Sequence, residues 1–199
     1  MNNKIRNFKK QVLALKKVQI IGPMKLETPV SKALPTIFVD GGIVHNNDHR
    51  SSISIGDNDS AAMKLDIIHN KDKDDSDLKL ALNLIDLSVN YCKIDGFLGG
   101  SKAHELINFG EIYHFSKKLG SSGRIGKNIF ISKSGCREYK FNGYFSIIVL
   151  EDTILTIEGE VKYKLIDVQC SMLTSRLLHN YANSSFKIKS NNPYYLIRE

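Results

Sequence analysis

Apolar residues in the first half of the chain keep changing their period. Ile5, Phe8, Val12 and Leu15 recur at three- and four-residue spacing, which predicts an amphipathic helix over residues 4–16. Short apolar runs follow at residues 18–21, 36–39, 53–55 and 65–68 and read as strands. Each is halted by glycine or by a polar cluster: Gly22, Asp40-Gly41-Gly42, Gly56-Asp57, and the acidic stretch 71–77. From Ser76 the helical period returns through Leu78, Ala81, Leu82, Ile85 and Val89, with Asp75 or Ser76 as the N-cap. A strand over residues 94–98 then ends at Gly99-Gly100, and a helix covers residues 106–115. Strands alternating with helices predict an α/β layer on a mainly parallel sheet across residues 18–118, preceded by the helix within residues 1–17.

Beyond residue 118 the texture changes. Gly120, Ser121, Ser122 and Gly123 read as a linker. Runs at 129–132, 144–150, 154–158, 186–189 and 194–197, separated by tight polar turns, predict an antiparallel β-sandwich over residues 124–199. The expected class is thus α/β followed by β.

Composition narrows the function classes. Of 199 residues, 42% are hydrophobic and 25% charged, an ordinary globular balance. The net charge of +7 raises the question of polyanion partners. Lys4, Arg6, Lys9, Lys10, Lys16 and Lys17 read better as a solvated helix face, and no RNA-binding aromatic signature or zinc-finger spacing supports nucleic-acid binding. Cys92, Cys136 and Cys170 are odd in number and lack metal-type spacing, so they read as free thiols. No apolar run approaches the roughly 20 residues needed to span a bilayer, and no usable signal peptide opens the chain. A soluble cytoplasmic protein without a membrane partner is expected.

The candidate chemistry lies in two acidic clusters, residues 56–60 (Gly-Asp-Asn-Asp-Ser) and residues 71–77 (Lys-Asp-Lys-Asp-Asp-Ser-Asp). Crowded carboxylates repel one another, and a divalent cation relieves the crowding while serving phosphate chemistry. Asp57 and Asp59, one residue apart after a strand, suit a hard cation. Asp75 and Asp77 open a helix at the same predicted edge, whereas Asp74 reads as solvated. In parallel sheets ligands collect at the carboxyl ends of the strands, so Asp40, Asp57, the second cluster and Gly99-Gly100 should converge there. Gly41-Gly42 and Gly99-Gly100 are either tight turns or places where N–H groups approach phosphates. His104 and Asn108 share one face of the following helix. An EF-hand fails, because Asp77 and Asn83 stand where Gly and Glu are needed. A Walker-type loop over residues 120–127 fails as well, since Ser121 and Asn128 break its pattern.

Taken in order, these residues carry a family likeness. Asp40-Gly41-Gly42, the 56–60 cluster and the 71–77 cluster resemble three successive motifs of thiamine pyrophosphokinases. Residues 96–104 (Gly-Phe-Leu-Gly-Gly-Ser-Lys-Ala-His) resemble the fourth, and Thr156-Ile157-Glu158-Gly159 with Lys162-Tyr163 resemble the start of that family's β-domain. The resemblance covers residues 18–199. It implies a homodimer with active sites between subunits and transfer of pyrophosphate from ATP to the thiamine hydroxyl, with Mg2+. Asp57, Asp59 and Asp75 would hold the metal and orient the triphosphate. Asp77 and Asp40 would complete the polar site, with Gly41, Gly42, Gly100, Lys102 and His104 toward the nucleotide and His179-Asn180 toward thiamine.

Departures leave the acceptor open. Ser101 and Ala103 replace a usual Arg and Asp, Asn58 a Phe, Asp74 a Thr, and His179 a Ser. The segments ahead of Thr36 and of Gly56 are short, so one or two usual helices should be trimmed. Three alternatives therefore stand beside the first reading. They are a pyrophosphokinase acting on another hydroxymethyl heterocycle such as a pterin, a weakened nucleotide- or thiamine-binding homologue, and a nucleotide-sugar transferase built on Asp57-Asn58-Asp59.

Overall fold

A computed structural model describes residues 3–49, 51–57, 64–70, 74–85 and 89–199. Its helices are α1 (Asn3–Leu15), α2 (Asp77–Asn83) and α3 (Lys102–Leu119). Six strands form a parallel sheet: β1 (Lys17–Ile21), β2 (Thr36–Val39), β3 (Ser52–Gly56), β4 (Ile67–Ile68), β5 (Tyr91–Asp95) and β6 (Ser122–Ile125). Their spatial order is β4-β3-β2-β1-β5-β6. The remaining strands are β7 (Ile129–Ser132), β8 (Gly135–Lys140), β9 (Gly143–Ile148), β10 (Thr153–Val161), β11 (Leu165–Cys170), β12 (Asn180–Ser190) and β13 (Tyr194–Arg198). The β6–β7 pairing turns the ladder antiparallel, and it continues β7-β13-β9-β12-β10-β11 with β8 on β12.

The elements follow from period and capping. Ser76 caps α2 by accepting the Lys79 N–H at 3.2 Å, as a serine before an apolar-periodic run should. The helix stops at Asn83, shorter than its period suggests, although Ile85 and Val89 still reach the core. By contrast α3 outruns its expected 106–115. It ends at Gly120, whose left-handed φ of 60° lets its N–H bond Ser116 O.

Because α3 continues to Leu119, the stretch read as a linker is not one. Ser122–Ile125 is a sixth parallel strand, with Lys93 beside Arg124 and Ile94 beside Ile125. Strand β8 escaped the sequence reading because it is polar and largely exposed, and β11 because its apolar residues are interrupted by Asp167 and Gln169 and are mostly exposed. At β4 only Ile67–Ile68 pairs, not residues 65–68.

Strand β12 belongs to three ladders, pairing with β10 along one edge and with β9 and β8 along the other. Its first residues pair with β9 and its last with β8, so two antiparallel layers enclose Phe145, Ile147, Leu155, Ile157, Phe186, Ile188, Tyr194 and Leu196. Strand β13 joins this core to the other. Tyr194 and Leu196 face the β core, whereas Tyr195 faces α3, stacking edge-on to Phe109 at 5.3 Å and donating its hydroxyl to Phe109 O at 2.6 Å.

All three helices cover the same face of the parallel sheet. Val18 and Ile20, Ile37 and Val39, Ile53 and Ile55, and Cys92 and Ile94 meet Phe8 and Val12 of α1, Leu78 and Leu82 of α2, and Ile112 and Phe115 of α3. Burying each such side chain contributes roughly 1.5–3 kcal/mol. The lysines of α1 sit outside this contact, and Lys4 pairs with Asp66 at 2.6 Å, so the basic segment is the solvated helix face it was read as.

No helix among the described residues covers the opposite face. There residues 22–35 lie across the strands as an irregular segment, next to a small cluster of Ile21, Phe38, Ile43 and Leu65. An irregular segment cannot satisfy its own backbone, so the sheet supplies polar partners. Asp95 accepts the N–H groups of Glu27 at 3.0 Å and Thr28 at 2.9 Å. Lys93 donates to Pro29 O at 2.6 Å, Gln19 Oε1 accepts from Ser31 N, and His49 Nε2 donates to Ser31 O. Buried polar side chains on alternate strand positions thus hold this segment where a helix would need only apolar contact. Burial, together with the neighbouring Arg124, holds the Lys93 ammonium below its usual pKa.

Candidate active site

The carboxyl ends of β1, β2 and β5 meet backbone to backbone. A Cβ added to Gly42 would lie 2.4 Å from Ile21 O, and one on Gly96 would lie 2.5 Å from Gly22 O. Gly96 also has φ of +77°, a conformation that glycine adopts without strain. Close backbone packing requires glycine at Gly42, while Gly41 lies against Pro23. This contact draws the loops after the strands around a cavity of about 400 Å³.

Asp40, Asp77, Gly100, His104 and Asn108 all line that cavity, with Pro23, Met24, Phe97, Ser101 and Glu105 among the other lining residues. Asp40 has φ of 49° at the end of β2 and opens a 3₁₀ turn, Asp40–His45; aspartate is among the side chains that tolerate this region. Asp77 is the first residue of α2, where the helix N-terminus favours a carboxylate. His104 and Asn108 share the cavity-facing side of α3, as their spacing predicted.

Asp57 follows Gly56 directly. A Cβ on Gly56 would approach Asp40 Cα at 3.1 Å, so the ends of β2 and β3 are neighbours and Asp57 lies half-buried at the same edge. Asp59 lies outside the described residues. Asp75 points elsewhere: it pairs with Lys79 at 2.7 Å, and Lys79 also approaches Glu111 at 3.8 Å. That pairing raises the lysine pKa, the bond to Asp75 being the larger cause.

The glycine turn before α3 is held by its own helix. Glu105 accepts the Gly99 N–H and, at 3.0 Å, the ammonium of Lys102. The Gly99 N–H first and Lys102 second draw the Glu105 carboxyl below the usual carboxylate range. Lys102 is therefore engaged by Glu105 and does not line the cavity.

His179 and Asn180 stand in the β region, and neither lines this cavity. His179 is exposed, has φ of 53°, and pairs through Nδ1 with Glu199 at 2.8 Å. Asn180 is buried, accepting the Tyr163 N–H at 2.9 Å and donating to Tyr163 O at 2.7 Å, so its amide locks the chain after β10. Sequence reasoning overlooked Asp95 and Glu105. Asp95 carried the same signal as Asp40, a carboxylate ending an apolar run before glycine. Glu105 carried none, because its partner is a backbone N–H.

Among the described residues no group of three or more His, Cys, Asp or Glu side chains is gathered closely enough to hold a metal. The donor set at the edge is nonetheless all carboxylate oxygen at Asp40, Asp57 and Asp77, which suits a hard cation. Cys92, Cys136 and Cys170 are free thiols. Among the described residues no helix is long and apolar enough to cross a membrane.

A parallel sheet with an acidic, glycine-lined carboxyl edge, continued by an antiparallel β region, defines the class as an α/β fold with a β extension. In particular, it is the fold of thiamine pyrophosphokinases. The chain is similar to the thiamine pyrophosphokinase of Geobacillus thermodenitrificans (TM-score 0.74, 19% identity, 92% of this chain and 97% of that one). It is similar also to the Bacillus subtilis enzyme (TM-score 0.71, 21% identity, 92% and 98%) and the Candida albicans enzyme (TM-score 0.70, 14% identity, 94% and 90%). No family model and no curated protein sequence matches. The likeness read from four short motifs thus extends to the whole fold at low identity.

Proposed function

We propose that the chain is a thiamine pyrophosphokinase, transferring pyrophosphate from ATP to the thiamine hydroxyl to give thiamine diphosphate and AMP. The observation that carries this reading is the placement of Asp40 and Asp77 on one cavity at the carboxyl edge of a sheet with this fold. The hydroxyl oxygen bonds to the β-phosphorus of ATP as the bond from that phosphorus to the α–β bridging oxygen breaks. AMP leaves, and the hydroxyl proton passes to a carboxylate; Asp40 and Asp77 are the cavity groups available to take it.

Mg2+, when bound, neutralises charge on the triphosphate. Asp57, Asp59 and Asp75 are the residues that would hold it. Asp75 would first have to release Lys79. Met24 and Phe97 give the cavity apolar surface suited to a flat heterocycle.

The active unit is proposed as a homodimer, with the parallel sheet and its helices through Ser122–Ile125 as the catalytic unit and the antiparallel strands from Ile129 onward as the β unit. Exposed His179 is assigned to approach from a second copy, while buried Asn180, its amide held on Tyr163, supports the chain behind it. Ser101 on the cavity wall, with Ala103 two residues along α3, favours a second reading, in which the acceptor is another hydroxymethyl heterocycle. Incubation with ATP, Mg2+ and either thiamine or a panel of such acceptors, with AMP as readout, separates the two. Absence of AMP with every acceptor at high protein concentration would refute both. Asp57→Asn and Asp77→Asn are expected to lower turnover by at least 100-fold on the scale of lost electrostatic stabilisation, with unchanged circular dichroism.

A further inference from the structure

Residues 22–35 and the turn that follows β2 enclose a second cavity of about 350 Å³, which shares no lining residue with the one at the carboxyl edge. His45, Asn47 and His49 line it, with exposed Lys32 and apolar residues such as Leu26 and Val30. His49 is held from several sides. Its backbone N–H donates to Asn46 Oδ1 at 3.1 Å, and its ring meets Phe38 edge-on at 6.3 Å. Nε2 lies 2.9 Å from Ser31 O and 3.2 Å from Thr36 Oγ1. The Thr36 hydroxyl proton is already given to Leu34 O at 3.0 Å, and Ser31 O can only accept, so the proton between them belongs to Nε2. The lone pair of the ring therefore sits on Nδ1. That nitrogen is buried without a hydrogen-bond partner among the described residues, in a residue only 9% exposed. His45 Nε2 is buried and unpartnered in the same way. Leaving two such nitrogens unpaired opposes folding, and a group bound between them removes that cost.

We propose that His45 Nε2 and His49 Nδ1 form a two-imidazole site for a first-row transition ion of the Zn2+ class. An imidazole that donates one ring N–H to a backbone carbonyl and presents the other nitrogen is the arrangement in which histidine ligates a metal, because the carbonyl fixes the tautomer and raises the basicity of the ligand. Among the described residues no Asp, Glu or Cys lines the cavity. That disfavours Mg2+ and Ca2+, which need oxygen donors, and leaves nitrogen donors suited to Zn2+ or Ni2+. The Asn47 side chain supplies a further oxygen in the lining. Two protein nitrogens leave coordination positions open to water, so the ion is exchangeable and not locked in a closed structural shell. The 3₁₀ turn Asp40–His45 carries Asp40 at its start and His45 at its end. An ion on His45 thus braces the turn that bears Asp40. The site stands apart from the proposed phosphotransfer, and neither result bears on the other.

Calorimetric titration of the full chain with Zn2+, in excess Mg2+ to occupy the carboxylate edge, tests this. The proteins are wild type, His45→Ala, His49→Ala, His69→Gln and Cys136→Ser, each checked for a cooperative thermal transition. His69 has the same kind of buried, unpartnered ring nitrogen but does not line this cavity, and Cys136 is an exposed thiol. His45→Ala and His49→Ala should each weaken Zn2+ binding by about tenfold or more, whereas His69→Gln and Cys136→Ser should bind as wild type does. Co2+ in place of Zn2+ should give wild type a visible absorption band that His45→Ala lacks. Wild type that binds no Zn2+ would overturn the inference, leaving water to satisfy the two nitrogens. Binding that is lost in the His69 or Cys136 variant, and kept in those of His45 and His49, would overturn it as well. If His49→Ala does not fold, His45→Ala, at a partly exposed position, decides the question alone.

Discussion

The two faces of the parallel sheet are stabilised by different chemistry, though the same strands build both. On the helical face, Val18, Ile20, Ile37, Ile53, Ile55 and Ile94 pack against apolar side chains from three helices. On the other, Gln19, Thr36, Lys93 and Asp95 satisfy the backbone and side chains of residues 22–35. Helices satisfy their own backbone and need only apolar contact, whereas an irregular segment must borrow partners from the surface it covers. Each face therefore dictates its own residue types, and both converge on the carboxyl edge where the cavity forms.

The comparison can be broken at that shared edge. Gly96→Ala places a Cβ 2.5 Å from Gly22 O at φ of +77°, and is expected to cost about 3 kcal/mol or more by chemical denaturation while also collapsing ligand binding. A variant as stable as wild type would show that the edge is not the shared constraint. On the helical face Ile94→Ala should lower global stability by roughly 2–5 kcal/mol, with the denaturant slope unchanged. On the loop face Asp95→Ala should act locally. Amide exchange at Glu27 and Thr28 should accelerate and proteolysis within residues 22–35 should rise, with a global loss of only about 1–3 kcal/mol. A purely global effect there would erase the distinction between the faces.

The smallest expected effect concerns Glu151, which ties α3 to the β region through Lys117 at 2.6 Å and the Tyr113 hydroxyl. The Lys117 bond first, and the Tyr113 bond second, hold its carboxyl below the ordinary glutamate value of 4.5. A depressed folded pKa means that the stabilisation is present above that value and is lost as pH falls through the folded one. The thermal midpoint of wild type should exceed that of Glu151→Gln at neutral pH, with the gap closing as pH falls below the ordinary glutamate value of 4.5. A gap independent of pH would remove the ionic role.

Much of this was legible in the chain. The period change at Ser76, the strands at 36–39 and 129–132, and the convergence of Asp40, Asp77, Gly100, His104 and Asn108 on one edge all follow from apolar spacing and turn chemistry. Strand β8 was hidden because an exposed polar edge strand carries no apolar pattern, and β11 because polar residues break its short apolar stretch. Strand β6 was hidden because Ser122 and Gly123 read as a linker when their parallel partner β5 is thirty residues away. Asp75 and Asp77 are indistinguishable by composition. Only the helix start separates them, sending one to Lys79 and the other to the cavity.

The sequence by itself determined which residues are apolar at which period, and so the strand–helix alternation, the acidic edge and the likeness to thiamine pyrophosphokinases. Only the tertiary structure decided that all three helices share one face, that Asp95 and Lys93 serve a loop, and that Glu105 occupies the glycine turn. The physical reason is that apolar periodicity is written in neighbouring residues. A hydrogen bond to a backbone N–H can be formed by any acceptor that the fold happens to bring within reach.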